Sequence, residues 1–315
     1  MPHEPANPAP PPADHGGGAH GPIRWRVVHA TSYTYSEPVP VCHNEVHLTP
    51  RDTPWQRVVS HHLGIAPVPA TVAHHTDVFG NHVGFLALEE PHSHLVITAT
   101  SEVDMLPSAP SCSDDRPWDQ TAGAVSRCTA AERLWLRQFR LESPLVRWAP
   151  PLAAWAAQSF PPGRPSLDAI LDLTGRIHRE FTYDPTATTI STPVEEVYSL
   201  RRGVCQDFAH LQIACLRSLG IPARYVSGYI ASSRQTADGT ATGSLVGADA
   251  SHAWLSFWGG DRGWVEVDPT NDCLVGEQHV TVAWGRDYAD VCPIKGVYVG
   301  GGQHQMDVAV DVRRV

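Results

Sequence analysis

Among the 315 residues, Cys205 stands where a thiol could act as a nucleophile. It sits in Gly203-Val-Cys-Gln-Asp-Phe-Ala-His210, at the head of a run that reads as a helix over 205–219, closed by Gly220 and Pro222. At a helix start the unpaired backbone N–H groups and the positive dipole end favour a thiolate over a thiol. The same N–H groups can stabilise an oxyanion, which acyl transfer from an amide requires. The competing reading is a capped structural cysteine, because most free cysteines are small core residues.

A thiol nucleophile needs a base. His210 lies about 140° around the helix from Cys205, at ~100° per residue, and so faces elsewhere as a packed or surface histidine. Cys215 sits among Leu211, Ile213 and Leu219 and reads as core. The better partner is His252, in Ala250-Ser-His-Ala-Trp254, followed by a strand, the turn Gly259-Gly-Asp-Arg-Gly263 and a second strand ending at Asp268. The mean of 252 and 268 falls inside that turn, so an antiparallel hairpin sets the two side chains opposite one another, within ~5 Å. Asp268 would then hold the tautomer and orientation of the imidazole while the other nitrogen faces Cys205. The plainer alternative is an ordinary cross-strand polar pair.

The elements that must position these groups follow from pattern. Residues 1–22 form a Pro/Gly/His-rich leader that cannot bury a core and is expected to be disordered. From 23 to 106, short β-branched and aromatic runs alternate with turn signals such as Asp77-Val-Phe-Gly-Asn81, predicting an N-terminal β-sandwich-like domain. Residues 107–127 read as a linker, and 128–315 as an α+β catalytic domain. In it, helices lie within 129–160, interrupted at Pro144 and at Pro150-Pro151, and over 166–181 with Ser166 as N-cap. Strands follow over 224–230, 252–258, 263–267, 280–283 and 306–310.

Composition bounds the function. There are 33 acidic against 23 basic residues, a net charge of −10, which argues against a general nucleic-acid or anionic-membrane binder. No apolar run approaches the ~18 residues of a spanning helix, and the first residues lack the basic start and apolar stretch of a secretory signal. A soluble cytoplasmic protein with reduced thiols is therefore expected, its seven cysteines showing no C-x-x-C spacing. Thirteen of the eighteen histidines precede residue 95; His92 and His94 would share a strand face, but none of the sets has zinc-finger spacing. No metal and no cofactor are expected.

Gly203-Val-Cys-Gln-Asp-Phe208, Arg217 through Tyr229, Ser251-His-Ala-Trp254 and Gly263-Trp264 through Asp268-Pro-Thr-Asn271 together resemble the transglutaminase-like superfamily. More narrowly, they resemble its bacterial cysteine peptidase group, with Asp77–Asn81 and Gly285–Asp290 resembling features of that group's N-terminal and C-terminal parts. The resemblance implies a papain-like α+β core with Cys205 as nucleophile, His252 as base and Asp268 as its orienter. A thioester formed by such a triad has three fates: peptide or amide hydrolysis, deamidation of glutamine, or cross-linking to an amine. The triad does not choose among them; the resemblance leans to a peptidase or amidase acting on a protein or peptide. Trp254, Trp264, Tyr183 and Phe181 are candidates to line an acyl channel or complete the oxyanion site, with core packing as the alternative. Gln206 is a weaker candidate of the same kind. Arg286 and Asp287 are candidates for an ion pair. A second class of function is a protein-interaction module in which catalysis is secondary. Oligomeric state is not encoded in any of these features.

Overall fold

The structure is a computed structural model that describes residues 22–106, 116–231, 245 and 250–315. The leader (bar residue 22), Cys112 and residues 107–115 of the predicted linker lie outside the described residues. Six strands open the chain: β1 (Ile23–Val39), β2 (Val41–Val46), β3 (Gln56–Ala66), β4 (Thr71–Thr76), β5 (His82–Leu88) and β6 (His92–Met105). Helices α1 (Trp118–Ala124), α2 (Ala130–Gln138), α3 (Pro150–Ala157) and α4 (Ser166–Glu180) follow, then β7 (Thr182–Tyr183), α5 (Val194–Leu200), β8 (Arg202–Gly203) and α6 (Cys205–Ser218). The remaining strands are β9 (Ala223–Ile230), β10 (His252–Trp258), β11 (Trp264–Asp268), β12 (Cys273–Leu274), β13 (His279–Gly285), β14 (Ile294–Val299) and β15 (His304–Arg314).

Two four-stranded antiparallel sheets, in the orders β15-β1-β6-β3 and β14-β2-β5-β4, pack face to face as the expected sandwich. Along β6 every second residue from Leu95 to Met105 is buried, the period-2 alternation of a half-buried strand. Leu95, Ile97 and Ala99 enter the sandwich core with Tyr35, Cys42, Leu86 and Leu88, whereas Val103 and Met105 on the same face join Trp25 and Val27 in the core of the second domain. One strand face thus runs out of one core into the other.

The second domain is built on an antiparallel sheet in the order β12-β11-β10-β9-β13. Alternation divides its side chains. Leu255, Phe257, Val265 and Val267 pack with α4 and α6, while Trp254, Trp264, Val226 and Trp284 gather with Phe79 and Phe139 on the other face. Every residue of α6 from Gln206 to Arg217 is buried, so this helix is enclosed by the domain.

Three differences from the sequence reading have physical causes. The predicted linker contains α1, whose Thr121 hydroxyl meets Ser166 at 2.6 Å. Ser166 is therefore the first residue of α4, and its hydroxyl is bonded to Thr121 and the Arg116 carbonyl, with no side-chain cap on the helix. Residues 294–314, read as part of the catalytic domain, return to the sandwich: β15 lies along β1 from Trp25↔Arg314 to Tyr35↔His304, and β14 lies along β2. The second domain is thus inserted between β6 and β14.

The two domains are also joined at β13, the edge of its sheet. The Gln56 side chain donates to Thr281 O and accepts from Thr281 N, both at 2.8 Å. Asn81 does the same at Trp284, donating to its carbonyl at 2.8 Å and accepting from its N–H at 3.0 Å. Asn81 is fixed by the Asp77 carboxylate, which accepts from the backbone of Phe79 and Asn81 and from the Asn81 amide, each at 2.8 Å. Gly80 closes that turn at φ +78°, a region costly for a residue with a Cβ.

Candidate active site

The start of α6 is shaped by the acidic residue of its first turn, Asp207. Asp207 folds back so that its carboxylate accepts from the Val204 N–H at 2.8 Å and from the Thr188 hydroxyl at 2.6 Å. A Cβ on residue 203 would lie 2.7 Å from that carboxylate, so the fold-back requires Gly203. Cys205 is thereby held as the first residue of the helix, half-buried. The loop over 184–193 is tied to the same corner, because Gln206 Nε2 donates to the Ile190 carbonyl at 3.0 Å.

His252 opens β10 and Asp268 closes β11. Their register, Leu255↔Val267 and Ser256↔Glu266, centres the hairpin one residue later than the sequence predicts, because the turn contains a 3₁₀ segment over Gly260–Arg262. His252 is consequently diagonal to Asp268 and not directly opposite. The two remain on one face, and His252 Nε2 lies 2.8 Å from Asp268 Oδ2 with both side chains fully buried. The next pair on that face repeats the diagonal, with Trp254 Nε1 donating to Glu266 Oε2 at 2.8 Å.

Asp268 is surrounded by donors. Oδ1 accepts from Thr270 N at 2.9 Å and Asn271 N at 3.3 Å; Oδ2 accepts from Asn271 Nδ2 at 2.7 Å and meets His279 Nε2 at 3.3 Å in addition to His252. Burial alone would push this carboxyl up, but the His252 charge and the two histidine hydrogen bonds outweigh it and hold Asp268 well below the usual carboxylate range. His252 answers in the opposite sense. Burial pushes the imidazole down, yet the Asp268 charge, together with Cys205, outweighs it and raises His252 to about 10. With Nε2 committed to Asp268, Nδ1 is left buried and without a hydrogen-bond partner among the described residues, and Cys205 lies near enough to raise the imidazole.

The other sequence candidates fall in different places. Tyr183 stands beside Phe208, half-buried, and its phenol is pushed up to about 12 by burial and by the neighbouring Cys205 and Asp207. Phe181 is buried against Trp155 and Phe208. Trp254 is completely buried, and Trp264 is buried against Phe139 with the Arg224 guanidinium over its ring, so neither lines an open channel. Gln206 is spent on the Ile190 carbonyl. His210 is buried, accepts from the Tyr288 N–H at 3.1 Å, and is pushed down to about 3 by burial and by Arg217. Cys215 is core, its thiol pushed far up by burial. Arg286 pairs with Asp290, not with Asp287, whose carboxylate instead accepts from the backbone of Leu145 and Ala289. His92 and His94 diverge, bonding to Glu90 O and Thr34 respectively.

His279 and Asn271 are the residues at this site that the sequence reading missed as partners of Asp268. Asp268, Cys273 and His279 also present one potential metal-ligand atom each, within 4.8 Å of one another. The Gly276 N–H points at His279 Nδ1, 3.4 Å away. A backbone N–H can only donate, so Nδ1 carries the lone pair and Nε2 the proton. His279 therefore meets Asp268 as a donor, which does not fit a metal ligand.

The sequence model described as the bacterial transglutaminase-like N-terminal region matches residues 25–104, and that of the transglutaminase-like superfamily matches 153–269. The uncharacterized protein Rv2569c of Mycobacterium tuberculosis is 40% identical over 301 residues, 93% of each chain. A protein-glutamine gamma-glutamyltransferase of Pseudomonas aeruginosa is 31% identical over 105 residues, 31% of this chain and 15% of that one. Among solved structures, a candidate cysteine protease from Cytophaga hutchinsonii superposes with a TM-score of 0.71 at 21% identity, covering 94% of this chain and 92% of the other.

Proposed function

Since the chain belongs to the transglutaminase-like superfamily, with the bacterial N-terminal region ahead of the core, we propose that it cleaves amide bonds of a protein or peptide by thiol-dependent acyl transfer at Cys205. The observation that carries this reading is the buried pair His252–Asp268, 2.8 Å long, whose second imidazole nitrogen is buried and unpartnered among the described residues, with Cys205 at a helix start close enough to raise the imidazole.

In this reading the Cys205 sulfur attacks the amide carbonyl carbon, and the developing oxyanion is met by backbone N–H groups of the first turn of α6. Imidazolium at His252 gives its Nδ1 proton to the leaving nitrogen as the C–N bond breaks, leaving a thioester and a free amine. Water then adds to the thioester while His252 takes its proton, and the C–S bond breaks to release the acid and restore the thiolate–imidazolium pair. Asp268 keeps Nε2 protonated and the ring aimed throughout.

An amine in place of water turns the same thioester into a cross-link. That is the second reading, favoured by the local similarity to the Pseudomonas glutamyltransferase. Incubation with peptides and glutamine-bearing proteins, with and without excess primary amine, read by mass spectrometry, separates the fates. New termini that persist with amine present support hydrolysis of peptide bonds; a +1 Da shift on glutamine marks deamidation, and amine adducts mark transfer. Identical spectra with the wild type and Cys205→Ala would overturn the proposal.

A further inference from the structure

We propose that His279 is a positioning residue of this site: its Nε2–H, held on Asp268 Oδ2, fixes the carboxylate that in turn aims His252. The inference rests on the Cys205–His252–Asp268 reading and extends it to a residue from the far edge of the sheet.

Three independent contacts fix this imidazole. His279 is almost wholly buried, at 3% exposure. Its backbone N–H donates to Gly276 O at 3.0 Å, and its Nδ1 receives the Gly276 N–H, a local turn that settles both ring orientation and tautomer. Its ring stands edge-on to Trp254, centroids 5.2 Å apart, and Trp254 is anchored on Glu266. The space for this contact comes from Gly228 on the intervening strand β9, over which the Trp254 ring lies. Nε2 is thereby left one partner, Asp268 Oδ2 at 3.3 Å.

The geometry suits holding and not proton transfer. His279 donates to the same oxygen that His252 engages, so without it Oδ2 loses one of three donors in a buried setting, where each is worth more than in water. The ionisable groups around His279 are Asp268 on β11, His252 on β10, Glu266 on β11 and Cys273 on β12. Asp268 is the one it bonds to.

The test compares His279→Phe, which keeps a ring against Trp254 and removes the donor, with His279→Gln, which restores an N–H donor at similar reach. The readout is the rate of Cys205 alkylation by iodoacetamide against pH, resolved by peptide mass spectrometry, with His252→Ala as the control and circular dichroism on every variant. Expected are a loss of about ten- to a hundredfold near pH 6 in His279→Phe, an acid limb displaced to higher pH, and recovery of most of both in His279→Gln. A purely structural ring would give the reverse order, Phe tolerated and Gln not, and would overturn the inference. If His279→Phe is labelled like the wild type while His252→Ala is slowed, the inference alone fails. If His252→Ala is also labelled like the wild type, the reading of the site itself fails.

Discussion

Gln56 and Thr281 exchange two hydrogen bonds, amide side chain to backbone, across the boundary between the two domains. A primary amide carries a donor and an acceptor at the spacing of a peptide group, so one side chain does for the edge of β13 what a neighbouring strand would do. Asn81 repeats the arrangement at Trp284.

Gln56→Leu keeps volume and removes both bonds to Thr281 together with the bond from Gln56 Nε2 to the Arg51 carbonyl at 2.7 Å, leaving the buried Thr281 N–H without its partner. Each lost buried bond costs about 1–3 kcal/mol, so a destabilisation of about 2–4 kcal/mol is expected in urea unfolding. A loss under 0.5 kcal/mol would show that the contact contributes nothing to stability.

Gly228→Ala is expected to be severe at a position remote from solvent. The new Cβ collides with the Val280 carbonyl and the Trp254 ring, and β13 or Trp254 must move. Overpacking of this kind costs about 1–3 kcal/mol or more, and here it also displaces His252, the direct partner of residue 228 across β9–β10. Thermal unfolding and Cys205 labelling should fall together; a variant with wild-type values for both would contradict the packing described.

His252→Ala should slow acylation of Cys205 by about 10⁴-fold or more, and Asp268→Asn by about 10³-fold, because the imidazole stays but is poorly held. Full activity in His252→Ala, measured on whichever amide the enzyme cleaves, would refute the assignment.

Stability should depend on pH in a window set by His252. Its folded value, about 10, exceeds the ordinary 6.5, so its contribution is complete below pH 6.5 and lost as pH rises through about 10. Asp268 has the opposite sense, its contribution being present above 3.8 and lost as pH falls below that value. Unfolding free energy should therefore decline between pH 7 and 10, and Asp268→Asn should remove most of that decline, since the Asp268 charge causes it. An equal slope in the variant would assign the effect to other groups.

The helix-start position of Cys205 was legible because a glycine, a small helix-start motif and a helical run are all local. The His252–Asp268 pairing was legible because shifting a hairpin centre by one residue moves the register by two, which leaves both side chains on the same face. His279 was not legible: it depends on β13 pairing with β9, a non-local choice that no short pattern announces. Trp254 and Trp264 misled for a related reason: they share the sheet face of His252 and Asp268, but pack there into a buried aromatic cluster with Phe79 and Phe139. The β fold of residues 23–106 was read from β-branched and aromatic runs set between turn signals, whereas β4, exposed at every position, holds no apolar run long enough to stand out. The return of β14 and β15 was hidden because a strand reads the same whichever sheet it joins.

That return has a consequence for synthesis on the ribosome. Strands β1 and β2 wait for partners encoded roughly 250–290 residues downstream, so each stands as an unpaired edge of its sheet until residues 294–314 emerge. The inserted domain must then collapse while tethered to an incomplete scaffold, with Gln56 and Asn81 already synthesised ahead of β13. Translation thus runs from half a sandwich, through the catalytic core, to the two strands that close it, and a nascent chain stalled before residue 294 would present two bare edges to its neighbours.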